Sequence, residues 1–116
     1  MIEHHMGLYD SPFKKIQSGT KTIEIRLNDE KRRKISIGDY IIFTKLSEPE
    51  KKLTVEVTAL YPYSTFKALY EAFSFSEFGC EGYTIQQLLD GTYKIYSKEK
   101  EEQCGALGIR IELVDT

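Results

Sequence analysis

Apolar residues recur at every second position in three stretches of the chain, and this alternation is typical of β-strands with one buried face. A fourth stretch follows a Gly-Asp turn and is strongly apolar, with branched and aromatic residues that favour a strand. The four predicted strands are residues 21–27, 40–46, 53–61 and 106–114. Together, the apolar faces of these strands can form the buried side of one sheet.

Helical signals occur before and between these strands. They are an N-cap residue followed by proline, an amphipathic stripe, a capping box, and a charged segment that ends at a glycine. The predicted helices are residues 12–18 with N-cap Ser11, a helix after Ser64 or Thr65 that contains the stripe from Phe66 to Phe73, a helix from the Thr84/Gln87 capping box to Gly91, and residues 98–103. Strands and short helices without regular βαβ alternation predict an α+β domain with a small curved sheet or barrel.

The composition is typical of one globular domain, which we expect to span residues 1–116. The chain is 41% hydrophobic and 29% charged and contains no low-complexity hinge, so it can bury a single core. No apolar run approaches the roughly 18 residues of a membrane helix. The first residues lack the basic and apolar regions of a signal peptide. With two cysteines and no disulfide framework, we expect a cytoplasmic protein without a membrane partner.

The charge balance restricts any polyanion site to a local one. Sixteen Lys and Arg against 18 Asp and Glu give a formal net charge of -2, which excludes a uniformly basic nucleic-acid binder. The concentrated basic run is Lys31–Lys34, whose four cations suit about two or three phosphate contacts. The alternative is a solvated loop that is neutralised by Asp29, Glu30 and Asp39.

Glu24 and Arg26 are the first candidate site residues, because they are two apart on a predicted strand and share its polar face. A carboxylate beside a guanidinium stays ionised, and such a pair can fix the geometry of a pocket. The alternative is an exposed ion pair of little energetic value. Strict alternation places Lys21 on the opposite face with Ile23. Lys21 joins Glu24 only if the Gly19-Thr20 segment or a bulge rotates the start of the strand.

Metal and cofactor signatures are missing from the sequence. Cys80 and Cys104 lack zinc-site spacing, and the adjacent His4 and His5 point to opposite faces of an extended segment. The sequence has no phosphate-binding glycine loop, dinucleotide fingerprint or serine-hydrolase elbow. We therefore predict neither a metal nor a cofactor.

Two further observations concern catalysis and base stacking. Glu81 lies in a glycine-flanked loop that can approach a ligand, so it joins Glu24 as a candidate general acid or base. Most aromatic residues have core spacing, but Tyr93 and Tyr96 lie near a polar segment and are predicted to form an exposed rim on which bases can stack.

A set of residues along the whole chain carries a family resemblance. It comprises His5-Met6, Leu8, Pro12-Phe13, Ile16, Gly19, Lys21, Glu24, Arg26, Asp29, Lys31-Arg32, Gly38-Asp39, Leu60, Phe66, Tyr96 and the strand from Gly105 to Leu113. Its centre is Gly-x-Lys-x-x-Glu-x-Arg followed by Gly-Asp. This pattern resembles the ASCH domain family of the PUA-like superfamily.

The resemblance implies a PUA-like small mixed β-barrel with short flanking helices. It also implies a ligand cleft beside the Lys21–Arg26 strand and a partner that is RNA or a small nucleotide-like molecule. The ligand-binding residues expected from it are Lys21, Glu24, Arg26, Asp29, Lys31, Arg32 and Tyr96.

The resemblance also implies an alternative function, a small hydrolase in the same cleft. A related bacterial branch is an amidohydrolase of acetylated cytidine that uses a Lys, a Thr and a Glu. Its Lys matches Lys21 and its Glu matches Glu81, but its Thr falls on Glu24, so the hydroxyl nucleophile is missing. An amidohydrolase or ribonuclease built on Lys21, Glu24 and Glu81 would use either glutamate as general base, and Lys21 or Arg26 would stabilise the oxyanion.

Overall fold

The computed structural model of the protein describes residues 2–114. Its strands are β1 (Glu3–Leu8), β2 (Ile23–Leu27), β3 (Tyr40–Lys45), β4 (Lys52–Tyr63) and β5 (Ala106–Leu113). Its α-helices are α1 (Asp10–Gln17), α2 (Phe66–Glu71), α3 (Ile85–Thr92) and α4 (Lys98–Cys104), with 3₁₀ turns at Arg32–Lys34 and Phe75–Glu77. No helix among these residues has the length and apolarity needed to cross a membrane. The predicted α+β class is confirmed.

The five strands form one curled sheet in the order β1-β3-β4-β5-β2. β1 and β3 are parallel, and the other neighbours are antiparallel. A register shift between Val57 and Ala59 interrupts the pairing of β4 with β5, and such bulges bend a strand. The sheet is therefore a half-barrel whose two edges are β1 and β2.

The core consists of two clusters. The first lies inside the curl, where Phe43, Val55 and Ile109 are fully buried and α1 adds Phe13 and Ile16. The second joins β2 and β5 to α2 and α3 and is rich in aromatic rings, with Ile23, Phe66, Leu69, Phe78 and Leu88 among its buried members. Ile23 of β2 belongs to the second cluster, so β2 is covered by protein on its apolar face.

The helix ends confirm some of the predicted caps and correct others. Helix α1 begins two residues earlier than predicted, and the residue before it is Tyr9, so Ser11 is not the N-cap. Thr65 caps α2, and the predicted capping box of Thr84 and Gln87 begins α3. Helix α3 continues past Gly91 for one residue, because this glycine keeps helical geometry without a positive φ.

Candidate ligand-binding site

A cleft of about 360 Å³ opens beside the start of β2. It is lined by the end of β1, the start of α1, the Phe78–Tyr83 loop and α3. Its size is within the usual range of small-molecule sites. The walls are mainly apolar and include Leu8, Pro12, Ile25, Phe78, Leu88 and Tyr96.

Three charged side chains converge on this cleft. Glu24 is 4% exposed. Its Oε1 lies 3.1 Å from Lys21 Nζ, and its Oε2 accepts a 2.9 Å hydrogen bond from Arg26 Nε. The exposed ion pair considered from the sequence does not apply, because this carboxylate is enclosed between two cations. We call these three residues the ion triad.

The position of Lys21 depends on a break in the strand. Regular pairing of β2 with β5 starts at Ile23. Lys21 instead forms an isolated bridge with Phe78, and Thr22 N–H donates to Glu77 O at 2.8 Å. Alternation therefore does not extend to Lys21, and its ammonium reaches the face that carries Glu24.

The ion triad holds Glu24 ionised. Burial would raise the pKa of Glu24, but the charges of Lys21 and Arg26 and their hydrogen bonds outweigh it, so the pKa lies below its ordinary value. A carboxylate with a lowered pKa is a weak general base at neutral pH. The triad has a formal charge of +1 and therefore suits an electron-rich ligand atom.

Two donors of the ion triad remain available to a ligand. Lys21 Nζ can donate three hydrogen bonds, and among residues 2–114 its side-chain contact is with Glu24. Arg26 Nε donates to Glu24, and Arg26 Nη2 donates to Gly7 O at 2.9 Å. Arg26 Nη1 has no acceptor within the same residues. Both cations line the cleft, so these N–H groups lie where a ligand can reach them.

Aromatic side chains form the inner wall of the cleft. Tyr70 donates to Thr92 Oγ1 at 2.7 Å, because the Thr92 hydroxyl itself donates to Leu88 O at 2.8 Å. Burial raises the pKa of Tyr70 to about 12. Tyr96 stacks on Phe66 with ring centroids 5.4 Å apart. Tyr96 therefore lines the cleft as part of its packed wall, and it is only partly exposed, so it does not form the predicted exposed rim.

Tyr93 does not share this position. Its hydroxyl donates to both oxygens of Glu101, at 2.8 and 2.9 Å, and it is not among the cleft residues. The prediction of Tyr93 as an exposed rim residue is wrong.

The rim of the cleft consists of residues that sequence reasoning missed. Tyr9, Tyr83 and Ile95 line the opening and are 63%, 50% and 60% exposed. Large apolar side chains exposed together around a cavity are typical of a binding surface. The only sequence signal was that each lies within three residues of a helix end, which does not reveal that the three meet in space.

The basic run lies outside the cleft, and its members make separate contacts. Arg32 pairs with Asp29, with Nη1 and Oδ2 3.3 Å apart. Lys31 Nζ donates to His5 O at 3.2 Å, while Arg33 Nε donates to Asn28 O at 2.8 Å. Of the predicted ligand-binding residues, Lys21, Glu24, Arg26 and Tyr96 therefore meet in the cleft, and Asp29, Lys31 and Arg32 do not line it.

Asp39 has a structural role and does not neutralise the basic run. Its Oδ2 lies 2.9 Å from His4 Nε2, and its carboxylate accepts from the backbone N–H groups of Ile2 and Ser36. The hydrogen bond with His4 is the main cause that lowers the pKa of Asp39 to about 2. This ionised carboxylate fixes the start of β1 beside β3.

Glu81 is not brought to the ion triad. It is exposed and lines a neighbouring depression of about 460 Å³ with Lys15, Thr20 and Ser76, and Tyr83 lines both this depression and the cleft. Within residues 2–114, no three His, Cys, Asp or Glu side chains are grouped as metal ligands would be.

The curled five-strand sheet with short helices around it defines a small α+β half-barrel domain. A family model described as the ASCH domain matches residues 6–115. The chain belongs to the ASCH domain family, which is generally linked to RNA binding.

Two similar solved structures cover nearly the whole chain. The crystal structure of hypothetical protein PH0355 is 34% identical, with a TM-score of 0.88 over 97% of this chain and 100% of that one. The solution structure of protein PF0455 from Pyrococcus furiosus is 33% identical, with a TM-score of 0.79 over 99% and 100%.

A more distant structure shows the shared fold alone. It is the S128A mutant of ZmASCH from Zymomonas mobilis, which is 15% identical, with a TM-score of 0.65 over 95% of this chain and 67% of that one. A search of curated proteins gave no match.

Proposed function

We propose that this protein binds RNA or a nucleotide by taking one unstacked base into the cleft. The observation that carries the proposal is the ion triad, whose cations have free N–H groups at the wall of an apolar and aromatic cleft. Membership of the ASCH family supports RNA as the ligand class. A cleft of this size suits a single base, and sequence-specific proteins commonly bind RNA through bases splayed out of a single strand.

Each member of the ion triad has a distinct role in this proposal. The free N–H groups of Lys21 and Arg26 donate to carbonyl or phosphate oxygens of the ligand. Glu24 Oε1 contacts Lys21 alone and keeps a lone pair, which accepts from a base amino group or a ribose hydroxyl. The apolar walls exclude water around the base, which strengthens these contacts.

Calorimetric titration of the four ribonucleoside monophosphates tests the proposal. We expect at least one to bind, and we expect Arg26→Ala to weaken it about tenfold or more, as for the loss of a hydrogen bond to a charged group. Lys14→Ala is the matched control, because it removes the same charge from an exposed position on α1. The matching deoxynucleotide should bind more weakly if the 2′-hydroxyl contacts Glu24.

The proposal fails if no monophosphate binds at millimolar concentration. It also fails if Arg26→Ala and Lys14→Ala bind the best nucleotide equally well, because binding would then not depend on the cleft.

Hydrolysis in the same cleft is the alternative, and the side-by-side placement of Lys21 and Glu24 favours it. The lowered pKa of Glu24 and the position of Glu81 outside the cleft lining give it less support, because a general base must be basic and within reach. Incubation of acetylated cytidine and of single-stranded RNA, followed by chromatography, decides this point. Turnover that is lost in Glu24→Gln would establish the hydrolase.

A further inference from the structure

The free side of β1 exposes a row of backbone acceptors. β1 is an edge strand, and it pairs with β3 through Ile2 O and Leu8 O, which accept from Tyr40 and Leu46 N–H at 2.9 and 3.0 Å. Backbone groups alternate in direction along a strand. The carbonyls of the odd-numbered residues therefore point away from β3, into the opening of the half-barrel.

Two cations from the other side of the opening contact these carbonyls. Arg26 belongs to β2, the opposite edge of the sheet, and its Nη2 donates to Gly7 O at 2.9 Å. Lys31 follows β2 and donates to His5 O at 3.2 Å. We call this line of Arg26 and Lys31 against the His5 and Gly7 carbonyls the seam.

The seam keeps positive charge available to an anion. Lys31 is exposed and forms no ion pair within residues 2–114, so its charge is not neutralised by a carboxylate in contact. Arg26 shares its charge with Glu24 but keeps Nη1 free. A phosphate oxygen is a stronger acceptor for a cation than a neutral carbonyl, so a phosphate can replace the carbonyl contacts.

The seam also has a suitable length and starting point. His5 and Gly7 are two residues apart on a strand, which corresponds to about 6.6 Å, a distance comparable to that between neighbouring phosphates of an extended single strand. Gly7 and Arg26 both line the cleft, whereas Lys31 lies beyond it. The seam thus begins at the cleft and leads away from it.

We propose that the seam is a phosphate track that continues from the cleft, so that the ligand is a single-stranded oligoribonucleotide of about two or three residues. This inference rests on the proposed function and extends it. The base occupies the cleft, its phosphate meets Arg26, and the next phosphate meets Lys31. A mononucleotide occupies the cleft and leaves Lys31 unused.

Titration of the best ribonucleoside monophosphate and of a trinucleotide with the same base tests this inference. For the unchanged protein, we expect the trinucleotide to bind about tenfold more tightly at low salt. Lys31→Ala should remove this gain without changing mononucleotide affinity. It should also reduce the slope of log affinity against log salt by about 0.7, as for one lost phosphate contact on a single strand.

Lys34→Ala is the matched control, because it removes the same charge from the same basic run. Lys34 is exposed, and no side-chain contact joins it to β1. This variant should keep most of the trinucleotide gain. Both substitutions change exposed side chains, so circular dichroism and the midpoint of thermal unfolding should match those of the unchanged protein.

The possible outcomes separate this inference from the proposed function. If a mononucleotide binds but the trinucleotide is no tighter, or if Lys31→Ala and Lys34→Ala lower the gain equally, the seam is not a phosphate track and the cleft proposal stands. If neither ligand binds, both proposals fail.

Discussion

Two buried carboxylates in this protein have nearly the same exposure and very different surroundings. Glu24 is 4% exposed and Glu101 is 6% exposed. Glu101 accepts from the backbone N–H of Phe66 at 2.8 Å and from the Tyr93 hydroxyl. Both donors are neutral, and they lie where α4 packs near the start of α2. Glu24 lies between two cations at the wall of an open cleft. Burial of a charge therefore does not by itself indicate a functional site.

The donors explain the difference. Phe66 is the first residue of α2, so Glu101 satisfies one of the free N–H groups at that helix start and ties α4 to α2. The cations around Glu24 keep further N–H groups that point into accessible space. A buried carboxylate whose neutral donors have no other N–H or O–H group to offer stabilises the fold. A buried carboxylate whose cationic partners keep unpaired N–H groups beside a cavity is a candidate for ligand binding.

The largest effect that we expect is the loss of stability on Glu101→Ala. This change leaves the Phe66 N–H and the Tyr93 hydroxyl without their acceptor, which should cost about 2–4 kcal/mol in the free energy of unfolding. Urea denaturation followed by circular dichroism measures it. Nucleotide affinity below the unfolding transition should stay within about twofold. A loss of affinity without a loss of stability would reverse the assigned roles.

Glu24→Gln should show the opposite behaviour. We expect the affinity for the neutral nucleoside to fall about 10- to 100-fold, because the charged acceptor is lost and the cations lose their orientation. A neutral nucleoside is the appropriate probe, since the added positive charge gives it no compensating attraction. The loss of stability should be smaller than for Glu101→Ala, because water in the cleft can solvate Lys21 and Arg26.

Tyr93→Phe should produce a smaller change on the structural side of the comparison. It removes one donor from Glu101 and leaves the Phe66 N–H in place, so we expect a loss of about 1 kcal/mol in the free energy of unfolding. Urea denaturation under the conditions used for Glu101→Ala provides the measurement. A loss as large as that of Glu101→Ala would mean that the Tyr93 hydroxyl, and not the cap of α2, is the main stabilising contact of Glu101.

The smallest expected effect is that of pH on nucleoside binding. The pKa of Glu24 lies below its ordinary value of 4.5, so its ionised form persists as the pH falls from 8 to about 5 and is lost only below that. Burial raises the pKa of Tyr70 to about 12, so this hydroxyl keeps its proton on the alkaline side. Titrations with a nucleoside that does not itself ionise should give one affinity from pH 5 to 8. A midpoint near neutral pH would contradict the ion triad.

Local sequence patterns predicted strands β2 to β5 because alternation and apolar runs are properties of each segment alone. β1 was missed for a physical reason. Its pairing partner is β3, which is distant in sequence, and the adjacent His4 and His5 obscure the alternation that Met6 and Leu8 would otherwise show. The parallel edge is therefore fixed by tertiary contacts and not by a local pattern.

As for the strands, the sequence predicted those parts of the site that depend on a single local segment. Strand alternation placed Glu24 and Arg26 together, and the structure has them paired. The position of Lys21 depends on its bridge to Phe78, which no nearby residue encodes. The rim of Tyr9, Tyr83 and Ile95 requires segments that are distant in sequence to meet around the cleft. The loop geometry that keeps Glu81 out of the cleft lining also cannot be predicted from sequence spacing.

The order of strands in the sheet also constrains when the site can form. β2 pairs with β5, so that Ile23 lies opposite Arg110, and much of the cleft wall comes from residues between them. Contacts of such long sequence separation form slowly, because the intervening chain must first be ordered. During synthesis on the ribosome, β2 stays an unpaired edge until residues 106–110 have left the exit tunnel. The nascent chain should therefore acquire ligand affinity in one late step.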